Sequence, residues 1–304
     1  MTSLTTGYRP HLGPHKWKRT GVCTTACLLL VASLSVAGPA VARAVAPKGD
    51  VRALTVVSLD MCADQYVLGL VPRDQILALS ERSALPDSNF RERAEYVRRI
   101  KPRIESILAL NPDVVVRTWG GDLNLIKALE RRHIKVININ DINNYEQAKS
   151  ELFRIGHELD QEASAQIEAR RFDMALADIQ PLGRGRSVLY YTPSGYSAGP
   201  DTMTGDMLRR LGFKLETQDK GYFYLSPEVL LSKKPDVFAL AFYDDAYAMR
   251  RVPGRNPLIR ARIADTPHIV LPRQALSCNG WFTAYDLVRV SKTPIHVGSG
   301  KAGF

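Results

Sequence analysis

The most regular stretch of the chain runs from Tyr145 to Ile179, with no proline and one glycine, Gly156. Its first part sets Tyr145, Ala148, Leu152, Ile155 and Leu159 on one face; its second part does the same with Ala165, Ala169, Phe172, Leu176 and Ile179. Offsets of three, four and seven predict amphipathic helices, each with one buried stripe. Asp160, Gln161 and Glu162 read as a break and a new start, with acids where the helix dipole favours them. A helix from Gln161 to Gln180 would span about 30 Å at 1.5 Å per residue, the width of a small domain.

On both sides of that stretch short apolar runs alternate with helical patterns. Upstream, strands are predicted at Ala53 to Ser58, Ile76 to Leu79, Val114 to Val116 and Val136 to Ile139, with helices from Asp60, from Arg103 and after Gly120-Gly121. Downstream, Ser187 to Tyr191, Val237 to Ala241 and His268 to Leu271 read as strands, and Met203 to Leu211, Pro227 to Lys234 and Trp281 to Val290 as helices. Such alternation calls for parallel pairing with helical crossovers. One segment recurs: Ile104 to Val116 and Pro227 to Ala239 both read as an acid, a short apolar helix, Pro-Asp and a buried strand. The expected fold is therefore α/β: two Rossmann-like lobes with central parallel sheets, joined by a single long helix. The expected divisions are 47–159 for the first lobe, 160–181 for the connecting helix, 182–292 for the second lobe and 293–304 for a tail.

Composition changes this picture in one place. The formal charge of +10 suggests nucleic acid, but residues 1–46 carry five basic residues and no acid, and removing them leaves 36 basic against 31 acidic residues, scattered. No basic helix or RNA motif appears, so nucleic acid is set aside as a partner. Lys16, Lys18 and Arg19 precede an apolar run from Val22 to Val36, followed by small residues through Ala46. That is the plan of a secretory signal peptide, cleaved near residues 42–46. The run is shorter than the ~20 residues a membrane span needs, and the expected product is a soluble, exported, monomeric protein.

Val57 to Gln65, the two Pro-Asp segments with their Glu105 and Glu228, Tyr190 to Gly212 and Cys278 to Thr283 together resemble the periplasmic solute-binding proteins of the helical-backbone class. The resemblance covers about Arg52 to Lys292 and rests on the order of these segments. Members serve ABC importers of iron–siderophore complexes, haem and cobalamin. It implies a ligand cleft between the lobes and a periplasmic protein, not an enzyme, that holds a metal chelate non-covalently and delivers it to a permease dimer at the inner membrane. It also implies that Glu105 and Glu228 dock on permease arginines; as plain helix-start acids they would be worth only ~0.3–1 kcal/mol.

Ligands of open parallel sheets sit beyond the carboxyl ends of the strands. The loops expected there carry Asp60, Arg82, Arg117, Trp119, Tyr191, Tyr196, Tyr243, Arg273 and Trp281. Aromatic faces suit a bulky planar or catecholate ligand, and guanidinium groups make bidentate contacts with anionic oxygens. A ferric siderophore is the first expectation, cobalamin or haem the next; a free metal ion is disfavoured, since these loops hold no cluster of His and carboxylate. Cys62 and Cys278, the two cysteines beyond the leader, suggest a disulfide in an oxidising compartment, with two free thiols or a soft-metal site as alternatives. A rival reading takes Gly195 to Gly199 as the nucleophile elbow of an α/β-hydrolase, with Ser197, Asp244 and His268 in triad order. Thr192-Pro193-Ser194 before it and Pro200 after it spoil the strand-to-helix turn that an elbow needs.

Overall fold

The computed structural model describes residues 52–118, 122–243 and 252–297. The leader with its cleavage sites lies outside them, as do Trp119 and Asp244. Among the described residues no helix is long and apolar enough to cross a membrane.

The first half is a five-stranded parallel sheet of β1 (Val56–Ser58), β2 (Ile76–Ser80), β3 (Arg99–Ile100), β4 (Val114–Thr118) and β5 (Lys135–Ile139), in the order β3-β2-β1-β4-β5. Helices α1 (Met61–Leu70), α2 (Ile104–Leu108), α3 (Leu123–Arg131) and α4 (Tyr145–Glu158) connect and cover it. After α5 (Glu162–Asp178) the second half repeats the plan with β6 (Ser187–Tyr191), β8 (Lys214–Leu215), β10 (Val237–Leu240) and β11 (His268–Val270), in the order β11-β10-β6-β8. Its helices are α6 (Met203–Arg210), α7 (Pro227–Ser232), α8 (Pro257–Ala264), α9 (Arg273–Ser277) and α10 (Thr283–Lys292). An antiparallel ribbon of β7 (Tyr196–Ala198) and β9 (Tyr222–Tyr224) has no counterpart among the described residues of the first half. Apart from the edge strand β3, the strand orders of the two halves are the same.

The repeated Pro-Asp segment has a physical explanation. Asp113 accepts from the backbone N–H (2.8 Å) and hydroxyl (2.6 Å) of Thr55, and the Thr55 hydroxyl in turn accepts from the Asp113 N–H at 3.1 Å. Asp236 makes the same three bonds with Ser187, at 2.7, 3.0 and 2.9 Å. Each aspartate clamps the start of one strand to the start of its parallel neighbour, β4 to β1 and β10 to β6. These bonds satisfy backbone donors that a sheet leaves open at its ends.

The regular stretch folds as two helices, α4 and α5. Asp160 takes a left-handed conformation (φ 56°) and the Gln161 N–H returns to the Gly156 carbonyl at 2.7 Å, a helix-ending turn. A Cβ on Gly156 would come within 2.5 Å of the Ala165 Cβ, so glycine there lets α4 and α5 approach closely. At 17 residues, α5 is about 25 Å long. Its start is bonded to the first half through Gln161 and Gln75 (3.1 Å), and its end to α10 through Asp178 and Lys292 (2.7 Å). Midway, buried Glu168 accepts from the Trp281 indole (3.3 Å), the Tyr285 hydroxyl (3.1 Å) and Arg171 (2.7 Å). Thus α10 runs beside α5 as a second brace. One continuous core joins α1, α4, α5, α6 and α10 with the inner faces of both sheets, while α2 and α3 cover the outer face of the first sheet and α7 and α8 that of the second.

Candidate functional site

In each sheet the strand order reverses between the first strand and the strand after the Pro-Asp segment: β1 and β4 in one half, β6 and β10 in the other. A crevice opens at the carboxyl ends of such a strand pair. The two halves treat it differently.

Among the described residues, hydrogen bonds to one side chain bridge the crevice of the first half. Asp60 caps α1, accepting from the Cys62 and Ala63 N–H groups at 3.1 and 2.9 Å, and its other oxygen accepts from the Thr118 N–H at 2.8 Å. One carboxylate therefore satisfies the helix start and ties it to the end of β4. Behind it Asp64 accepts from the N–H (3.0 Å) and hydroxyl (2.5 Å) of Ser80. Burial raises the Asp64 carboxyl to about 6, against the lowering effect of those hydrogen bonds.

In the second half the crevice stays open. A cavity of about 470 Å³ is lined by Tyr190, Thr192, Pro193, Ser194, Tyr196, Thr204, Tyr222, Phe242 and Leu276. Its size falls in the range usual for small-molecule sites, ~300–1,000 Å³. The wall is built by the β7–β9 ribbon: Tyr196 stands 48% exposed, its ring edge-on to Tyr224 at 6.0 Å, and Tyr222 shares a 3.0 Å hydrogen bond with Thr204. Phe242, next to the end of β10, is held at φ 59°, a conformation that costs a non-glycine residue of order 1–3 kcal/mol and brings it into the wall. A recess of about 540 Å³ also lies beside Arg73, Glu92, Arg93 and Glu95, but it borders Ile76 at the start of β2, the amino end of the sheet. The carboxyl-end cavity is the candidate site.

Of the residues expected at the cleft, Tyr196 lines this cavity. Asp60 is occupied as a cap. Arg82 is exposed on the loop after β2, and Arg117 is buried on β4 with its Nε donating to the Thr118 carbonyl at 2.8 Å. Arg273 starts α9 and is not in the cavity wall. Three expectations are corrected. Trp281 is fully buried, edge-on to Tyr66 at 5.0 Å and packed against Gly69 of α1, because the segment after Cys278 folds back into the core. Tyr191 is fully buried among the outer-face residues of the second sheet. Side chains of a strand alternate, so its neighbour Tyr190 takes the cavity position. Tyr243 likewise packs on the outer-face cluster, and Phe242 stands at the cavity instead. Sequence reasoning missed Tyr190, Thr204, Tyr222 and Phe242; the one signal for them was the density of tyrosine between Tyr190 and Tyr224.

Cys62, in the first turn of α1, and Cys278, directly after α9, form a disulfide with Cα atoms 5.3 Å apart, within the span such a bond allows. Glu105 and Glu228 are each the second residue of a short helix, exposed, and form no ion pair among the described residues. The backbone N–H of Glu228 and the Ser226 hydroxyl hold its carboxyl below the usual range.

The hydrolase constellation lacks its geometry. Ser197 is buried in the middle of β7 and donates to the Tyr190 carbonyl at 2.8 Å, so its hydroxyl is committed. Gly195 (φ 89°) makes the turn from β6 into β7, and a Cβ on Gly199 would collide with the Asp219 carbonyl. The glycine spacing is thus explained by a β-ribbon. His268 begins β11 and stacks on His296 at 5.3 Å.

No family model matches the chain. It is 23% identical over 184 residues (56% of this chain, 57% of the other) to an uncharacterized ABC transporter substrate-binding lipoprotein, YvrC, of Bacillus subtilis. It is 26% identical over 193 residues (60% and 52%) to a cobalamin-binding protein of Halobacterium salinarum. The chain thus spans about half the length of the curated relatives it matches. Among solved structures, the periplasmic haem-binding protein HutB of Vibrio cholerae superposes with a TM-score of 0.61 at 17% identity, over 78% of this chain and 97% of that one. These likenesses agree with the order of segments read from the sequence: the chain has the two-lobed α/β fold of the helical-backbone periplasmic binding proteins and resembles substrate-binding proteins of ABC importers along its sequence.

Proposed function

We propose that the chain is an exported binding protein that holds a bulky metal chelate in the cavity at the β6–β10 crevice and delivers it to an ABC importer permease. The observation that carries this reading is the open, tyrosine-rich cavity at the carboxyl ends of β6 and β10. The wall offers aromatic rings and hydroxyls and, among the described residues, no cationic side chain. That lining suits a flat macrocyclic chelate, cobalamin or haem, ahead of the ferric siderophore that the arginines suggested. The names of the Halobacterium relative and of HutB point the same way. The chelate is cargo, held without a covalent bond.

The division into a lobe to residue 159, a connecting helix to 181 and a second lobe to 292 belongs to this proposal. In it the leader directs a monomer to the periplasm. Glu105 on α2 and Glu228 on α7 would then present one carboxylate from each lobe to the permease dimer. Exposed charges of this kind set orientation and association rate more than affinity.

The test is an absorbance titration of purified protein with cyanocobalamin, hemin and a ferric siderophore panel. One of the macrocycles is expected to bind with a Kd of about 1 μM or tighter, and Tyr222→Ala to weaken it. Binding of none of these probes would remove the assignment. Ester turnover abolished by Ser197→Ala would restore the hydrolase.

A further inference from the structure

α9 has five residues, and its Leu276 stands in the cavity wall. A helix of that length has no stability of its own, since nucleation costs more than one turn returns. It lacks a side-chain cap at Pro272. Its polar contacts with the first half include Gln274 Nε2 donating to the Pro86 carbonyl at 2.6 Å, on the surface, and Ser277 Oγ donating to Asp87 at 3.4 Å. The covalent contact is the disulfide one residue past its end, which links positions 216 apart in the chain. The other sulfur is on α1, two residues beyond Asp60, whose carboxylate is bonded to the end of β4. A continuous series of bonds therefore runs from the bridged crevice of the first half to the wall of the open one: Thr118, Asp60, Cys62, Cys278, Leu276.

We propose that the Cys62–Cys278 disulfide is a positioning element of the ligand cavity: by fixing α9 to α1 it holds Leu276 in the wall and slows ligand release. The inference rests on the cavity being the binding site. It differs from a bridge that merely stabilises the fold. Trp281, Phe282 and Leu287 seat α10 in the core whether or not the sulfurs are joined, so loss of the bridge frees α9 without unfolding the chain.

The experiment compares the oxidised protein with the Cys62→Ser/Cys278→Ser variant, and with wild type reduced by dithiothreitol and alkylated, in case the variant folds poorly. Hydrogen exchange of amides 273–279 should quicken about tenfold while β1, β4, β6 and β10 keep their protection. Release of bound cyanocobalamin or hemin, followed by stopped-flow, should quicken about fivefold with the association rate unchanged, as affinity changes within one site mostly are. Leu276→Ala, bridge intact, should quicken release alone. Unchanged exchange at α9 overturns the proposal, and so does faster exchange with unchanged release. If neither probe binds the oxidised wild type, the assigned function fails and exchange at the wall residues 190–196 and 242–243 decides: quickening there when the bridge is absent upholds the coupling, and its absence overturns it.

Discussion

The two halves share a strand order, a Pro-Asp clamp and a helix-start glutamate, yet among the described residues one bridges its crevice with a helix cap and the other lines a cavity. The difference lies in the segment after the first strand of each sheet. In the first half Asp60 comes directly after β1 and starts α1 at once, so its carboxylate reaches both the helix and Thr118. In the second half Thr192 to Thr202 intervene between β6 and α6, and they include the ribbon strand β7. A backbone that turns straight into a helix bridges the crevice with its own cap; one that first makes a ribbon leaves space and lines it with the ribbon's side chains. Under the proposed function the same scaffold supplies rigidity on one side and recognition on the other.

The largest effect is expected where the halves meet. Trp281 fills the space between Gly69 and Tyr66 of α1 and bonds to Glu168 of α5. Trp281→Ala should cost about 3–5 kcal/mol, read by urea denaturation, and both halves should unfold in one transition. Two separated transitions would show that the halves are independent and that the shared core does little to couple them.

The next two substitutions separate the roles of the crevices. Asp60→Ala leaves three backbone donors without their acceptor and should cost about 1–2 kcal/mol, as the loss of a cap does, with ligand affinity unchanged within about twofold. Tyr196→Ala should do the reverse: stability within about 0.5 kcal/mol of wild type, because the ring is half exposed, and affinity for the bound macrocycle lower by about tenfold, or 1.4 kcal/mol. Loss of affinity in the first variant alone would move recognition to the half whose crevice is bridged.

Much of this comparison could be read in the residues, and the unread part has a physical cause. The apolar stripes placed α4 and α5, and Pro-Asp placed β4 and β10, because helix periodicity and turn chemistry are local. The ribbon is illegible in the residues: β7 and β9 have three residues each, pair across an intervening helix, and expose Tyr196, Tyr222 and Tyr224 while burying Ser197, so hydropathy does not mark the buried face. Trp281 was misplaced because its loop follows a strand, and only the tertiary fold shows that loop turning inward. Tyr190 and Tyr191 were exchanged by one step of strand register, which decides the face of every side chain.

Acid should act on the two halves through carboxyls of two kinds, some lowered by hydrogen bonds and some raised by burial. The Thr55 and Ser187 hydrogen bonds hold the carboxyls of Asp113 and Asp236 below the usual range. Each therefore adds stability that is present above the unfolded-state value near 4 and is lost as pH falls through the lower folded value. Asp113→Asn and Asp236→Asn should each narrow their gap from wild type as pH drops below about 4, by similar amounts. Asp64 has the opposite sign, a direction it shares with Asp286 of α10, whose carboxyl burial also raises. Buried and raised to about 6, Asp64 favours folding while protonated, and that contribution is lost as pH rises from about 4 toward its folded value. Asp64→Asn should flatten the fall in stability between about pH 4 and 6, measured by thermal denaturation across that range, and should leave the behaviour below it unchanged. Asp286 supplies the remainder of that slope, so if the substitution does not reduce it at all, the carboxylate behind Asp60 is already ionised in the folded protein, and its surroundings are more polar than its hydrogen bonds indicate.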